Sequence, residues 1–453
     1  MVQIDEKVYG LAKARMESVF DGGTFVELGA YTKRLGSQED FEGVVCGYGA
    51  IEGKLAFAFI QDSGRTKGAF GERHAKKIID MYSLAIKNGA PVIGIFDSAG
   101  AVVYDGAAAL AAYGKLMKSI SNASGVIPQI AVIDGVCGGA SAVAASMFDF
   151  TVTVKDKSKF FVNAPFNVGE KTDVAKAGLS AYEAEDEANA FAYVRKLVSL
   201  LPSNNSEAAL VETADDMNRK VSLADNMSAD ELLSAVADNG SFVRVYKDYA
   251  ENVALGFTTF GGIVTGVVAS DKNDGILDIK SARAAAKLVS FCDSFGVPVV
   301  TLVNSIGLDT TKAAEDSAYA SELAKLAYAY TSADNAKVTV VTGKAYGAAF
   351  TLLGSKSVGA DMAFALPAAC ISVLSPEASV AFVMNNKVGE KSREELEAEW
   401  AEKYASANEA ADCGEIDDVI EPAELRQRIC AALSMLAFKA EGTPSKRHVN
   451  MPL

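Results

Sequence analysis

Two glycine-rich turns carry the best-defined chemistry in this 453-residue chain: Gly135-Val136-Cys137-Gly138-Gly139-Ala140-Ser141 and Gly343-Lys344-Ala345-Tyr346-Gly347-Ala348-Ala349. Each follows an apolar, β-branched run. Small residues let backbone approach a ligand closely, and a helix starting there offers free N–H groups and the positive end of its dipole. Two such N–H groups aimed at one point make an oxyanion hole, worth about 2.7–4 kcal/mol per donor. Taken alone, either turn reads first as a tight bend that packs a helix onto a sheet; two of them at matching positions point to function. Side-chain bases are scarce. The only histidines are His74, opening a helix beside Lys76 and Lys77, and His448, near the C-terminal end. A Ser-His-Asp hydrolase needs a base within hydrogen-bond reach of its nucleophile. Chemistry resting on backbone donors fits this chain better.

The elements that position the turns occur twice. Gly23-Thr24-Phe25-Val26 recurs as Gly240-Ser241-Phe242-Val243, and Gly89-Ala90-Pro91-Val92-Ile93 as Gly296-Val297-Pro298-Val299-Val300. Ser98-Ala99-Gly100 recurs as Ser305-Ile306-Gly307, Asp149 as Asp361 and Pro165 as Pro376, in unbroken order and about 210 residues apart. Order and spacing together mark a duplication. In each copy a helix is predicted, with Ala75, Ile78, Ile79, Tyr82 and Ala85, or Ala285, Leu288, Cys292 and Phe295, on its apolar face. A buried strand follows at 91–96 or 298–303, so strand and helix alternate around a parallel sheet. The expected division is 1–239 and 240–453. The acidic segment from Ser203 to Asn239 should act as a linker with some helical packing, and 390–440 should form C-terminal helices. An extra surface loop is expected around Ser37 to Gly43.

Composition narrows the function. A net charge of −15 argues against nucleic acid and anionic lipid as partners. Half the residues are hydrophobic and 22% charged, the make-up of a well-packed α/β enzyme. The six cysteines form no C-x-x-C pair and none lies near a histidine, so no metal site is expected and buried reduced thiols are. No apolar stretch approaches the length of a membrane span, and the N-terminus lacks a signal-peptide core, so a cytoplasmic location is expected.

Further motifs are specific in combination. They include Gly71-Glu72-Arg73-His74-Ala75-Lys76-Lys77, Gly125-Val126-Ile127-Pro128-Gln129, Leu201-Pro202-Ser203-Asn204-Asn205, Gly275-Ile276-Leu277-Asp278, Ser375-Pro376-Glu377 and the ending Lys446-Arg447-His448-Val449-Asn450-Met451-Pro452-Leu453. With the two turns, they make the chain resemble the biotin-dependent acyl-CoA carboxyltransferases of the crotonase superfamily, from about Arg15 to Leu453. The resemblance implies a duplicated crotonase-like (ClpP/crotonase) ββα superhelix, with an acyl-CoA side in the first domain and a biotin side in the second. It implies an oxyanion hole for the acyl thioester at Gly139 and Ala140, and one for the biotin ureido oxygen at Ala348 and Ala349. Ser98, Ala99, Gly100, Gly138 and Gly347 would line the substrates, and Thr351 the space for the acyl branch. Arg65 and Lys67 precede a loop expected near coenzyme A, where a cation could meet phosphate; a solvated loop is the other reading. Biotin would arrive on a separate carrier protein. A biotin carboxylase or a membrane decarboxylase subunit would complete the system, and the chain itself would form a hexamer, a trimer of dimers.

The chain departs from the family's usual motifs in places. Asp97-Ser98-Ala99-Gly100-Ala101-Val102 lacks the usual final arginine, Ala140 and Ala348 stand where glycine is usual, and Ser305-Ile306-Gly307 replaces Val-Pro-Gly. The stretch from Phe166 to Ala190 is short and lacks the family's histidine-containing segment. Two other readings therefore stand: a serine hydrolase of the related Clp-type fold, and an assembly paralogue without activity.

Overall fold

The computed structural model describes residues 6–34, 36, 41–164, 173–224, 227–271, 273–440 and 450. Pro165, His448, part of the expected surface loop and most of the closing signature lie outside these. Two compact units divide between Glu207 and Ala208.

The first unit is built on a seven-stranded sheet whose spatial order follows the chain: Val26–Leu28, Val44–Ile51, Lys54–Gln61, Val92–Phe96, Gln129–Ile133, Phe150–Val154 and Tyr182–Ala184. The first three strands pair antiparallel and the rest parallel. The strands Val92–Phe96, Gln129–Ile133 and Phe150–Val154 are buried at every position, as their uninterrupted apolar runs require. Helix Glu72–Asn88 lays Ala75, Ile78, Tyr82 and Ala85 into this core and stops at Gly89, whose left-handed φ of 60° lets the chain turn into the next strand.

The second unit repeats the plan. Strands Val243–Val245, Val253–Phe260, Ile263–Ser270, Val299–Ser305, Lys337–Tyr346, Met362–Ala365 and Asp418–Val419 follow the same order, with two antiparallel and then four parallel pairings. Helix Ile279–Ser294 matches Glu72–Asn88, burying Ala285, Leu288 and Cys292. The expected C-terminal helices form as Arg393–Tyr404, Ala407–Asp412 and Leu425–Met435, with the strand Asp418–Val419 between the last two. That two-residue strand is too short to show any sequence period.

The repeat begins at Gly240, yet the second compact unit begins about thirty residues earlier. The intervening segment is tied in at several points: Leu210 bridges to Ile263, Val211 N–H donates to the Gly262 carbonyl, and farther along it meets Arg426, which is wholly buried. Its guanidinium donates to the carbonyls of Asp216 and Val236 at 2.9 Å each and to the Asp238 carboxylate at 2.6 Å. Helix Ala229–Val236, opened by a Ser228/Glu231 capping box, buries Leu233 and Val236 in the same core. The acidic segment is thus packed into the second unit. Four of the six cysteines are buried as expected, with burial pushing the Cys46 thiol up to about 12. Cys370 is half-buried and Cys413 exposed, which corrects the expectation for those two.

Candidate active site

Both glycine turns are made by one device. Past strand Gln129–Ile133, residues Val136–Gly138 pair in parallel with Lys159–Phe161, forming a small side sheet. Gly139 then adopts φ 59°, ψ −127°, a region open in practice only to glycine, and helix Ala140–Ser146 begins. In the second unit Lys344–Tyr346 pairs in parallel with Cys370–Ser372, Gly347 adopts φ 60°, ψ −149°, and helix Ala348–Leu352 begins. Register, dihedrals and helix start all match.

The hydrogen bonds sort the donors. Gly139 N–H donates to the Phe161 carbonyl at 3.0 Å, and Gly347 N–H to that of Ser372 at 2.9 Å. The Gly139 N–H is therefore engaged by the side sheet in this structure, and of the expected pair Gly139 and Ala140 only Ala140 keeps its N–H free among the described residues. The N–H groups of Ala140 and Ser141, and those of Ala348 and Ala349, meet no acceptor among the described residues. By position, Ala140 and Ser141 are the counterparts of Ala348 and Ala349. The signal was one of register: Gly139 matches Gly347, so the free pair starts one residue later.

A loop from the neighbouring strand flanks each turn. Ser98 N–H donates to the Val136 carbonyl at 2.7 Å, Ala99 N–H to that of Lys67 at 2.9 Å, and Gly100 N–H to Ser98 Oγ at 3.1 Å. In the second unit Ile306 N–H donates to the Asp274 carbonyl at 3.0 Å and Gly307 N–H to Ser305 Oγ at 3.3 Å. The repeated Ser-x-Gly is thus a repeated loop, and it brings Ser98, Ala99 and Gly100 to the strand that leads into the first turn. Gly138 belongs to the side sheet, where an added Cβ would come within 2.7 Å of the Phe161 ring.

The two cations differ. The Arg65 guanidinium faces Asp62 at 3.6 Å and lies over the Phe41 ring at 5.6 Å, its side chain largely covered. Lys67 is exposed, on backbone with φ 55°. Lys67 is the more accessible of the two. In the second unit Thr351 lines a cleft of about 630 Å³ together with Gly347, Ala348, Ile371, Leu374, Phe382 and Trp400. This cleft joins free backbone donors to apolar walls.

His74 is wholly buried. Its ring meets Glu42 at 3.6 Å, the Gln61 amide at 3.4 Å and the Phe70 ring at 5.0 Å, none of them a nucleophile. Burial lowers its pKa, against the pull of Glu42 and with a smaller push from Lys77. With Glu42, Gln61 and Phe70 as its neighbours, His74 is not placed to serve as the base of a serine hydrolase. Among the described residues no cluster of His, Cys, Asp and Glu could hold a metal ion, and no helix is long and apolar enough to cross a membrane.

Known proteins share this arrangement. The carboxyl transferase domain matches residues 9–451. The methylmalonyl-CoA decarboxylase subunit alpha of Veillonella parvula is 35% identical over 475 residues, covering 98% of this chain and 93% of that protein. The propionyl-CoA carboxylase beta chain of Cereibacter sphaeroides is 35% identical over 476 residues, with the same coverage of each chain. The transcarboxylase 12S hexamer, solved with methylmalonyl-coenzyme A and methylmalonic acid bound, superposes with a TM-score of 0.93 at 31% identity, covering 99% of this chain and 94% of that one. A duplicated crotonase-type α/β fold that matches this family along its length defines a protein of the carboxyltransferase class. The chain belongs to the carboxyl transferase family.

Proposed function

We propose that the chain moves a carboxyl group between carboxybiotin on a separate carrier protein and a short-chain acyl-CoA, acetyl-, propionyl- or methylmalonyl-CoA. The observation that carries this reading is the matched pair of turns, each with two N–H groups that meet no acceptor among the described residues. Carboxybiotin supplies CO₂ and, once that has left, a ring nitrogen basic enough to take the α-proton of the thioester. The chain's part is to hold charge on two oxygens. Ala140 and Ser141 receive the thioester oxygen as it becomes an enolate oxygen, and Ala348 and Ala349 receive the ureido oxygen. Backbone donors fixed in place before the reaction suit both, since neither oxygen needs a proton from the protein. The cleft beside Ala348 fits a flat cyclic urea on an apolar bicycle, with donors at one edge and Ile371, Leu374, Phe382 and Trp400 around it.

The relatives are named as subunits of carboxylases and decarboxylases, and the transcarboxylase match as a hexamer. We extend those features to this chain. It works with a biotin carrier and with either a biotin carboxylase or a membrane decarboxylase subunit, as a homo-hexamer in the cytoplasm, its first domain taking acyl-CoA and its second biotin. Val102, in the place of an arginine usual in the family, favours one other reading, an assembly paralogue without turnover. A reverse assay decides between them. The purified protein should consume malonyl-CoA or methylmalonyl-CoA only when biocytin or a biotinylated carrier is present, and should saturate with both. Thioester loss that ignores biotin, or none with any partner, sinks the carboxyl-transfer reading.

A further inference from the structure

The carboxylate of Asp97 joins three segments around the first turn. Its Oδ1 accepts from the N–H of Val136 at 3.1 Å, at the head of the side strand Val136–Gly138 that leads into Gly139. Its Oδ2 accepts from Ser63 Oγ at 2.5 Å, in the loop that leads to Lys67. Its own N–H donates to Gln61 Oε1 at 3.2 Å, and its backbone continues directly into Ser98-Ala99-Gly100. Gly135 has no room for a side chain, because an added Cβ would fall inside this carboxylate. That steric fact, rather than the approach of a ligand, accounts for glycine there.

The second unit repeats the joint with a neutral side chain. Asn304 Oδ1 accepts from the N–H of Lys344 at 2.9 Å, Asn304 N–H donates to Ser270 Oγ at 3.0 Å, and a Cβ on Gly343 would run into the Asn304 amide. Ser270 takes the place of Gln61 at the end of the matching strand. A joint kept in both copies, while its members change from Asp and Gln to Asn and Ser, is held for its geometry. What it fixes is the distance between the Ser-x-Gly loop and the donor turn.

We infer that Asp97 is the positioning residue of the first turn and Asn304 that of the second: each side-chain oxygen sets the side strand, and through it the aim of the free N–H groups at Ala140 and Ser141 or at Ala348 and Ala349. Neither touches the reacting atoms. The inference rests on the carboxyl-transfer reading for its kinetic consequences but not for its structural one, and the two can fail separately.

Kinetics of the biocytin-dependent reaction with methylmalonyl-CoA give the first test. Asp97→Ala should lower kcat/KM for the thioester about ten- to hundredfold, since misplacing a reacting group by about 1 Å has that scale of cost. The KM for biocytin should stay within about twofold. Asn304→Ala should do the converse. Asp97→Asn should return to within about threefold of the parent, because an amide oxygen already does this work in the second unit. Should Asp97→Ala not fold, Gly135→Ala asks the same question by pushing the carboxylate aside. The second test needs no turnover. Amide hydrogen exchange over Val136–Ser141 should quicken in Asp97→Ala while Lys344–Ala349 keeps its parental rates, and the reverse should hold in Asn304→Ala. Unchanged exchange at the first turn overturns the inference, whatever the activity. So does an active parent whose constants Gly135→Ala leaves intact, or an Asp97→Asn as impaired as Asp97→Ala. A parent with no biocytin-dependent turnover but with the expected exchange pattern defeats only the carboxyl-transfer reading.

Discussion

The two turns agree in backbone and disagree in almost everything else. Val136 faces Lys344 across the duplication, Gly138 faces Tyr346, and Ser141 faces Ala349. Behind them Gln61 and buried His74 correspond to Ser270 and buried Ser281. Through these changes Gly139 and Gly347 keep φ within 1° of each other, and each keeps its bond to the last residue of the parallel partner strand. Side chains were free to diverge while the placement of N–H groups was not. What the two copies hold in common at the turns is the course of the main chain.

The sharpest way to break that comparison is to remove one donor from each side. Proline suits the first position of a helix but has no N–H. Ala140→Pro and Ala348→Pro should therefore fold and lose at least about 10²-fold in turnover, the scale of one oxyanion donor. The two should differ in kind. Steady-state kinetics should show the thioester side impaired by the first substitution and the biotin side by the second. Near-normal rates in a folded variant would remove the turns from the mechanism.

A smaller effect probes the shared backbone. Gly139→Ala and Gly347→Ala place a side chain on dihedrals that only glycine adopts without strain, at about 1–3 kcal/mol each. Crowding is not the cause, because a Cβ at Gly139 meets nothing within 4 Å and one at Gly347 only the Val373 carbonyl at 3.4 Å. Both should lower the unfolding temperature by similar amounts. A large inequality would mean that the two turns are not equivalent.

The smallest expected effect concerns the helix behind the first turn alone. His74 has a folded pKa lowered from about 6.5, chiefly by burial. The unfolded chain then binds a proton that the folded chain refuses. Its contribution to stability is complete above about pH 6.5 and is lost as pH falls below it. Thermal unfolding followed from pH 7.5 to 5.5 should show the first unit losing stability faster than His74→Gln does. Ser281 fills the matching place in the second unit and has no such charge to gain. Equal slopes in parent and variant would rule out a proton-linked cost at His74.

Much of this was legible in the residues. The duplication, the buried strands and the helix pair Glu72–Asn88 and Ile279–Ser294 all follow from period and order, because long apolar elements write their burial into the sequence. The side sheet was not legible. Its strands in the first unit are three residues long, the matching pairing in the second uses only the last three residues of strand Lys337–Tyr346, and both join residues more than twenty positions apart. Without the side sheet nothing in the sequence marks the Gly139 N–H as already paired. Gly135 and Gly343 misled in the same way. Their smallness is plain in the sequence, but the groups that need the space, Asp97 and Asn304, come from another strand.

Arg426 carries a last consequence. Its charge is neutralised by Asp238, and two of its remaining hydrogen bonds end on carbonyls that precede the repeated sequence. A gene fragment cut where the ancestral copy begins would leave a buried guanidinium without its counter-ion, a loss of about 3–5 kcal/mol. The second half of this chain was inherited as one piece and is now folded as another. The stretch that joined the two copies has become a foundation of the later one.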